Sequence, residues 1–366
     1  MKRRGAYAEA GVDYVILDAA KRRAVAAARA TSSFAVPRGV AIDEASRGEP
    51  ATVVRTDDAT YGFVLECLGT KSLVARDFEA ATGIDRYDAV GYDTVAAAVN
   101  DCCCVGALPL VVNAYFATGA ASWYAGTRHA SLLGGFARAC HDAGAVWGGG
   151  ESPTLSGLIA ADGIDLAAAV VGRVPDGVEP YLGTGLLAGD EIVLVGSSGL
   201  HQNGASLVRV VAAGLPDGLA TRLGSGRLLG DAVLDSGLIY VGLVGSLIAE
   251  GVAVHYLSHI TGHGLRKLMR ADRDFTYRIA RLPEVPEVLA FVAARAELSD
   301  AEAYATLNMG AGFACFVAEG VGGRVVALAE ALGLTALVAG QVESGPRRVV
   351  IEPIGVEYTA GDLELR

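Results

Sequence analysis

Hydrophobic and polar positions along this chain change their period in blocks, and the blocks predict an α/β protein. Residues 13–30 set Ala, Lys and Arg at helical spacing, which predicts an amphipathic helix. The stretch 32–50 is irregular, punctuated by Pro37, Gly39, Gly48 and Pro50. Two strand-like runs, 51–55 and 61–68, flank the turn-forming Asp57-Asp58, and Gly69-Thr70-Lys71 ends the second. Residues 93–105 predict a buried helix that brings Thr94, Ala97, Ala98 and Asp101 near one another. A strand at 110–117, a long helix at 123–143 and a short strand at 145–147 follow, the last ending in Gly148-Gly149-Gly150. A strand at 166–172 precedes a Pro/Gly-rich connection at 175–189.

The pattern then restarts. A strand at 191–195 runs into Gly196-Ser197-Ser198-Gly199, with helices predicted at 203–213 and 240–250. Residues 254–256 lead into Ser258-His259-Ile260-Thr261-Gly262-His263-Gly264. A helix at 287–295, a strand at 312–317, a helix at 324–332 and a closing strand at 347–351 complete the reading. A boundary near residue 175 divides the chain into two α/β domains, 1–175 and 176–366.

Composition narrows the function. Of 366 residues 48 are glycine, and only 19% are charged, so an explanation is needed for glycine without a repeat period. Thirty Lys plus Arg against 41 Asp plus Glu give a net charge of -11, which disfavours a nucleic-acid partner; Lys2-Arg3-Arg4 and Lys21-Arg22-Arg23 are the longest basic runs. Residues 105–117 are apolar but too short to span a bilayer, and no apolar segment follows the basic start, so we expect a soluble cytoplasmic protein. The six cysteines lack zinc-ligand spacing and read as packed, reduced thiols, with Cys67 the first candidate for reactivity.

Candidate chemistry collects at the ends of apolar segments. Glu66, Asp93, Asn100, Asp101 and Glu151 offer the oxygen ligands that hard divalent cations prefer, so Glu66, Asp93, Asp101 and Glu151 are candidate magnesium ligands. Magnesium there would bridge the carboxylates to nucleotide phosphates, and Lys71 could place a point charge on the same phosphates. Each has a plainer alternative: Asp93 as a helix cap, Asn100 and Asp101 as hydrogen-bonded core groups, Glu151 as a solvated carboxylate. Three glycine turns, at 148–150, 196–199 and 262–264, could turn backbone N–H groups toward an anion, but none is a Walker A or dinucleotide motif. His201, His259 and His263 stand beside such turns as possible acids, bases or phosphate donors.

Several motifs in order then identify a resemblance. Tyr7-Ala8-Glu9-Ala10-Gly11-Val12-Asp13, Tyr87-Asp88-Ala89-Val90-Gly91-Tyr92-Asp93 with Val99-Asn100-Asp101, Tyr115-Phe116-Ala117-Thr118-Gly119 and Gly148-Gly149-Gly150-Glu151 resemble segments of the phosphoribosylformylglycinamidine cyclo-ligase (aminoimidazole ribonucleotide synthetase) family. Gly196-Ser197-Ser198-Gly199-Leu200-His201-Gln202-Asn203-Gly204, His259-Ile260-Thr261-Gly262 and Asn308-Met309-Gly310-Ala311-Gly312 continue the match. The resemblance implies a two-domain ATP-binding α/β (α+β) fold. Its N-terminal mixed sheet would form a barrel across a homodimer, and its C-terminal α/β domain would cover the cleft. It also implies ATP and magnesium at Glu66, Gly69, Thr70, Lys71, Asp93, Asn100, Asp101, Gly149, Gly150 and Glu151. A small phosphorylated ribonucleotide would meet Ser197, Ser198, Gly199, Asn203, Thr261 and Gly262, with Lys71, His201, His259 and His263 as catalytic candidates.

The implied reaction uses ATP to activate the formamide oxygen of formylglycinamidine ribonucleotide. Amidine attack closes the ring, and phosphate leaves with release of ADP. Departures mark the chain as divergent. Leu65-Glu66-Cys67-Leu68-Gly69-Thr70-Lys71 stands where the family has Thr-Asp-Gly-Val-Gly-Thr-Lys, His263 replaces a glycine, and Asp235-Ser236-Gly237 lacks the usual Pro-Thr. The glycine/phenylalanine-rich loop before this segment is missing. A related ATP-dependent enzyme acting on another small substrate, or a nucleotide-binding dimer without turnover, therefore remains an alternative.

Overall fold

The computed structural model describes residues 14–363, so the Tyr7–Asp13 motif lies outside the described residues. The first half opens with helix α1 (Tyr14–Arg29) and strands β1 (Ala41–Ile42), β2 (Thr52–Arg55) and β3 (Thr60–Cys67). Helices α2 (Lys71–Thr82) and α3 (Tyr87–Cys104), strand β4 (Leu108–Thr118), helix α4 (Thr127–Asp142) and strands β5 (Val146–Glu151) and β6 (Ile164–Val174) complete it. The strands form one sheet in the order β1-β2-β3-β6-β4-β5. All its pairings are antiparallel except β4 with β5.

This sheet has free edges at β1 and β5, and among the described residues no sheet closes into a barrel. The expected N-terminal barrel is therefore corrected to an open, two-layer α/β arrangement. One face of the sheet packs on α3 and α4. The other exposes an apolar row that crosses four strands through paired positions: Phe63 opposite Val171, Val171 opposite Val111, and Val111 opposite Val146.

Helix α3 is central to the first half. Its residues from Ala89 to Cys104 are all buried, in agreement with the apolar pattern there, although the helix starts at Tyr87 and not at Asp93. Asp93 therefore lies inside the helix and is not its cap. Helices α3 and α4 approach through backbone. A Cβ on Gly91 would lie 2.1 Å from the Leu132 carbonyl oxygen, and one on Gly135 would lie 1.8 Å from that of Asp88. Glycine at both positions is the condition for this contact.

The second half comprises β7 (Glu191–Gly196), α5 (Ala205–Ala213), α6 (Leu229–Val233), α7 (Val241–Ala249), β8 (Val254–His259), β9 (Phe275–Ile279), α8 (Glu287–Arg295), α9 (Asp300–Thr306), β10 (Ala311–Val317), α10 (Gly322–Ala331), β11 (Ala336–Ser344), β12 (Arg348–Ile351) and β13 (Val356–Thr359). Its seven strands are ordered β13-β12-β9-β11-β7-β10-β8. Strand β10, paired on both sides by β7 and β8, is buried at every position, in keeping with its continuous apolar run. Ser299 and Glu302 form a reciprocal cap at the start of α9. Among the described residues no helix is long and apolar enough to cross a membrane.

Candidate functional site

Polar residues on one face of α3 attach the first half to the second. Lys71, at the start of α2, and Asp93 are both fully buried and form an ion pair. The Lys71 Nζ also donates to the His201 carbonyl (2.7 Å), with the Asp235 carbonyl at 3.5 Å. The second Asp93 oxygen accepts from the Gly237 N–H (2.6 Å) and from the Gln202 amide (3.4 Å). Two turns further along, Asn100 donates to the Leu238 carbonyl and accepts from the Tyr240 N–H, each at 2.8 Å. These groups are spent on protein partners, as buried polar groups must be.

Asp101, the next residue, differs. It accepts from His259 Nδ1 at 2.7 Å, while His259 Nε2 is buried and has no hydrogen-bond partner. Burial pushes the His259 pKa down, against the opposing Asp101 carboxylate. Burial also works against the Asp101 charge. The His259 hydrogen bond, with Lys267 and Arg270 nearby, outweighs it and holds the carboxyl below its ordinary value. The pair is therefore a carboxylate and a neutral imidazole, with the proton assigned to Nδ1 by the hydrogen bond.

Both residues line a cavity of about 450 Å³ between the halves. Its walls include Glu66, Gly69 and Thr70 before α2, Gln202, Asn203, Gly204 and Ser206 around the start of α5, and Thr261, Gly262 and His263 after β8. A 2.9 Å hydroxyl contact between Thr70 and Ser206 ties two of these walls together. The N-termini of α2 and α5 thus open on one space, where their unpaired N–H groups and dipoles favour an anion. Lys267 and Arg270 add positive charge. Burial pushes the Lys267 pKa down to about 8, Arg270 acts in the same direction, and Asp101 and Glu66 oppose it.

The cavity gathers Glu66, Gly69, Thr70, Asp101, Asn203, His259, Thr261, Gly262 and His263 from among the sequence candidates. It does not gather the others. Lys71, Asp93 and Asn100 lie sealed behind the wall. Gly149, Gly150 and Glu151 run along edge strand β5, where a Cβ on Gly150 would meet the Ala114 carbonyl at 2.0 Å, so this glycine serves strand packing. Ser197 bonds Asn308, and Ser198 bonds the Ser236 carbonyl, bracing a turn that includes Gly199. His201 accepts from the Ser198 N–H at 3.0 Å, and burial, with His259 and Lys71 nearby, lowers its pKa to about 3.

Of Glu66, Asp93, Asp101 and Glu151, the first and third share the cavity, while Asp93 is paired with Lys71 and Glu151 lies on edge strand β5. Among the described residues no group of three or more His, Cys, Asp or Glu side chains is placed to hold a metal ion. These four do not fit a shared magnesium site. Cys102, Cys103, Cys104, Cys140 and Cys315 are buried, and burial raises every one of their thiols. Exposed Cys67 is raised too, by partial burial and by Glu66. None is an activated nucleophile. Lys267 and Arg270 are not among the sequence candidates; the usable signal is two basic residues three apart, directly after a glycine loop.

Two open α/β layers enclosing an anion-attracting cavity define the class, and comparison with known proteins narrows it. Residues 48–174 match the AIR synthase related protein N-terminal domain, and 188–352 match the corresponding C-terminal domain. A phosphoribosylformylglycinamidine cyclo-ligase of Alkaliphilus oremlandii is 33% identical over 310 residues, covering 83% of this chain and 84% of that protein. The chain belongs to the phosphoribosylformylglycinamidine cyclo-ligase-related family, as a divergent member. In fold it is similar to a HypE-HypF complex chain (TM-score 0.60, 15% identity, covering 85% of this chain and 92% of that one). It is also similar to the hydrogenase maturation protein HypE in complex with ATP (TM-score 0.53, 19% identity, covering 74% and 78%).

Proposed function

We propose that this protein is an ATP-dependent enzyme that activates an amide-type oxygen by phosphorylation, and that its reaction is the cyclisation of formylglycinamidine ribonucleotide to aminoimidazole ribonucleotide in the cytoplasm. One observation carries the reading: two helix N-termini, two cations and the Asp101–His259 pair line the same cavity. Helix N-termini suit nucleotide phosphates. Family membership, and the complex that the structurally similar HypE forms with ATP, favour ATP as the anion.

In this reading the formamide oxygen attacks the terminal phosphorus of ATP, and ADP leaves. The amidine nitrogen then adds to the activated carbon, gives its proton to His259 Nε2, and the ring closes as phosphate departs. Asp101 holds the imidazole in the tautomer that leaves Nε2 free to accept. Positioning and charge stabilisation by the cavity walls supply the rest. The test is ADP release by the purified chain with ATP and formylglycinamidine ribonucleotide. Nucleotide binding without substrate-dependent ADP release would refute the assigned reaction.

A second reading has support of its own. Glu66, Cys67 and His263 depart from the resemblance and all three line the cavity, which favours a different small amide-type substrate; a metabolite panel scored by ADP release separates the two. We assign residues 1–175 and 176–366 to separate domains, and a second copy of the chain to the exposed Phe63–Val171–Val111–Val146 row. Sedimentation of Val171→Lys tests that pairing, with dissociation to monomer expected.

A further inference from the structure

Among the cavity residues, Lys267 is the one whose position is hardest to explain by folding alone. It lies in the short 3-10 segment Gly264–Met269, directly after the glycine loop, and is 7% exposed. Its ammonium can donate three hydrogen bonds, and it donates to the Thr261 hydroxyl, a neutral partner. Arg270, three residues on, is held from behind. Its Nε donates to the Gly48 carbonyl at 2.9 Å and lies 3.9 Å from Glu49, which itself accepts from the Tyr256 hydroxyl at 2.7 Å. The nearest carboxylate on α3, Asp101, is engaged by His259.

An ammonium buried against a hydroxyl and beside a second cation is costly to fold. Asp101 and Glu66 lend it counter-charge, and a multidentate oxyanion in the cavity would supply the hydrogen-bond acceptors that the ammonium lacks. Lys267 and Arg270 belong to the segment after β8 and the helix N-termini to α2 and α5, so one cavity draws its anion donors from two different parts of the chain.

We propose that Lys267, with Thr261 and Arg270, anchors a phosphomonoester carried by the substrate itself, separately from the helix N-termini that would meet the ATP phosphates. This rests on the reading of the cavity as the active site. It makes Lys267 a specificity residue: it would select a phosphorylated substrate over the same compound without phosphate.

The experiment titrates the full chain with ribose 5-phosphate, with inorganic phosphate and, in parallel, with ATP, by calorimetry, and records thermal unfolding in phosphate-free buffer. Wild type, Lys267→Met and Lys267→Arg are compared. The expected result is ribose 5-phosphate affinity at least tenfold weaker in Lys267→Met, restored in Lys267→Arg, with ATP affinity within twofold and a raised unfolding temperature in Lys267→Met. Unchanged ribose 5-phosphate affinity in Lys267→Met would overturn the proposal, as would a lowered unfolding temperature with equal loss of both ligands, the mark of a structural cation. If wild type binds ATP but not ribose 5-phosphate, this inference fails alone. If it binds neither, the reading of the cavity fails with it.

Discussion

Two carboxylates on helix α3, about two turns apart, meet buried partners in opposite ways. Asp93 is closed on every side: Lys71 on one oxygen, Gly237 and Gln202 on the other, with the Lys71 ammonium in turn held by a carbonyl of the second half. Asp101 keeps its charge and accepts from one imidazole nitrogen of His259, a cavity-lining residue whose other nitrogen is buried without a partner. Acidity, burial and a basic partner are common to both. What separates a clasp from a candidate site is the carboxylate's basic partner: Lys71 is spent on Asp93 and carbonyl oxygens, whereas His259 lines the cavity and keeps a ring nitrogen unsatisfied.

The largest effect should come from opening the clasp. Asp93→Ala leaves the Lys71 charge buried and unpaired, which costs about 3–5 kcal/mol. Urea unfolding should show that loss, and Lys71→Met in the same chain should recover part of it. If Asp93→Ala folds with wild-type stability but loses ADP release, Asp93 belongs to the chemistry and the contrast collapses. Second, His259→Gln should cut substrate-dependent ADP release by at least roughly 100-fold while the unfolding midpoint moves little. A variant equally active would remove His259 from the reaction.

A pH titration of stability sharpens the comparison further. His201 is held neutral down to about 3 in the folded protein, whereas the unfolded chain protonates it near 6.5. The folded state therefore binds fewer protons between these values. Stability from this group is complete above about 6.5 and declines as pH falls toward 3, by up to about 1.4 kcal/mol per pH unit. His201→Gln should flatten that part of the curve. The smallest effect is expected at Cys67, exposed on the cavity rim with a raised thiol pKa. Cys67→Ala should leave stability within about 0.5 kcal/mol and alter ADP release little.

Much of the fold is legible in periodicity, because strands such as β7 and β10 and helix α8 carry uninterrupted signals between clear turns. Helix α2 is not, because Gly69-Thr70-Lys71 reads as the end of a strand when it is also the start of a helix. Strands β9, β11 and β13 escape the pattern because β9 and β13 are short, and β11 carries Gly340 and Gln341 in its middle. The site is half legible. The sequence motifs mark Asp93 and Asp101 alike, since hydrogen-bond saturation is a property of the folded neighbourhood and not of residue type. The glycines divide in the same way: Gly69 and Gly262 line the cavity, whereas Gly91, Gly135 and Gly150 let backbones touch. The open first sheet departs from the resemblance, which implies a barrel formed across two copies.

The clasp also bears on how this chain could drift from its relatives. Lys71, Asp93, Asn100 and Ser198 reach the 235–240 segment only through its main-chain carbonyl and N–H groups. Contacts of that kind do not register which side chains hang from the segment. Gly237 is one exception, since a Cβ there would lie 2.4 Å from the Gln202 amide nitrogen. Asp235 and Ser236 can therefore stand where the resemblance expects Pro-Thr while the halves stay joined, whereas Gly237 and the buried Tyr240, whose hydroxyl donates to the Gly196 carbonyl at 2.7 Å, are fixed by their own side-chain positions.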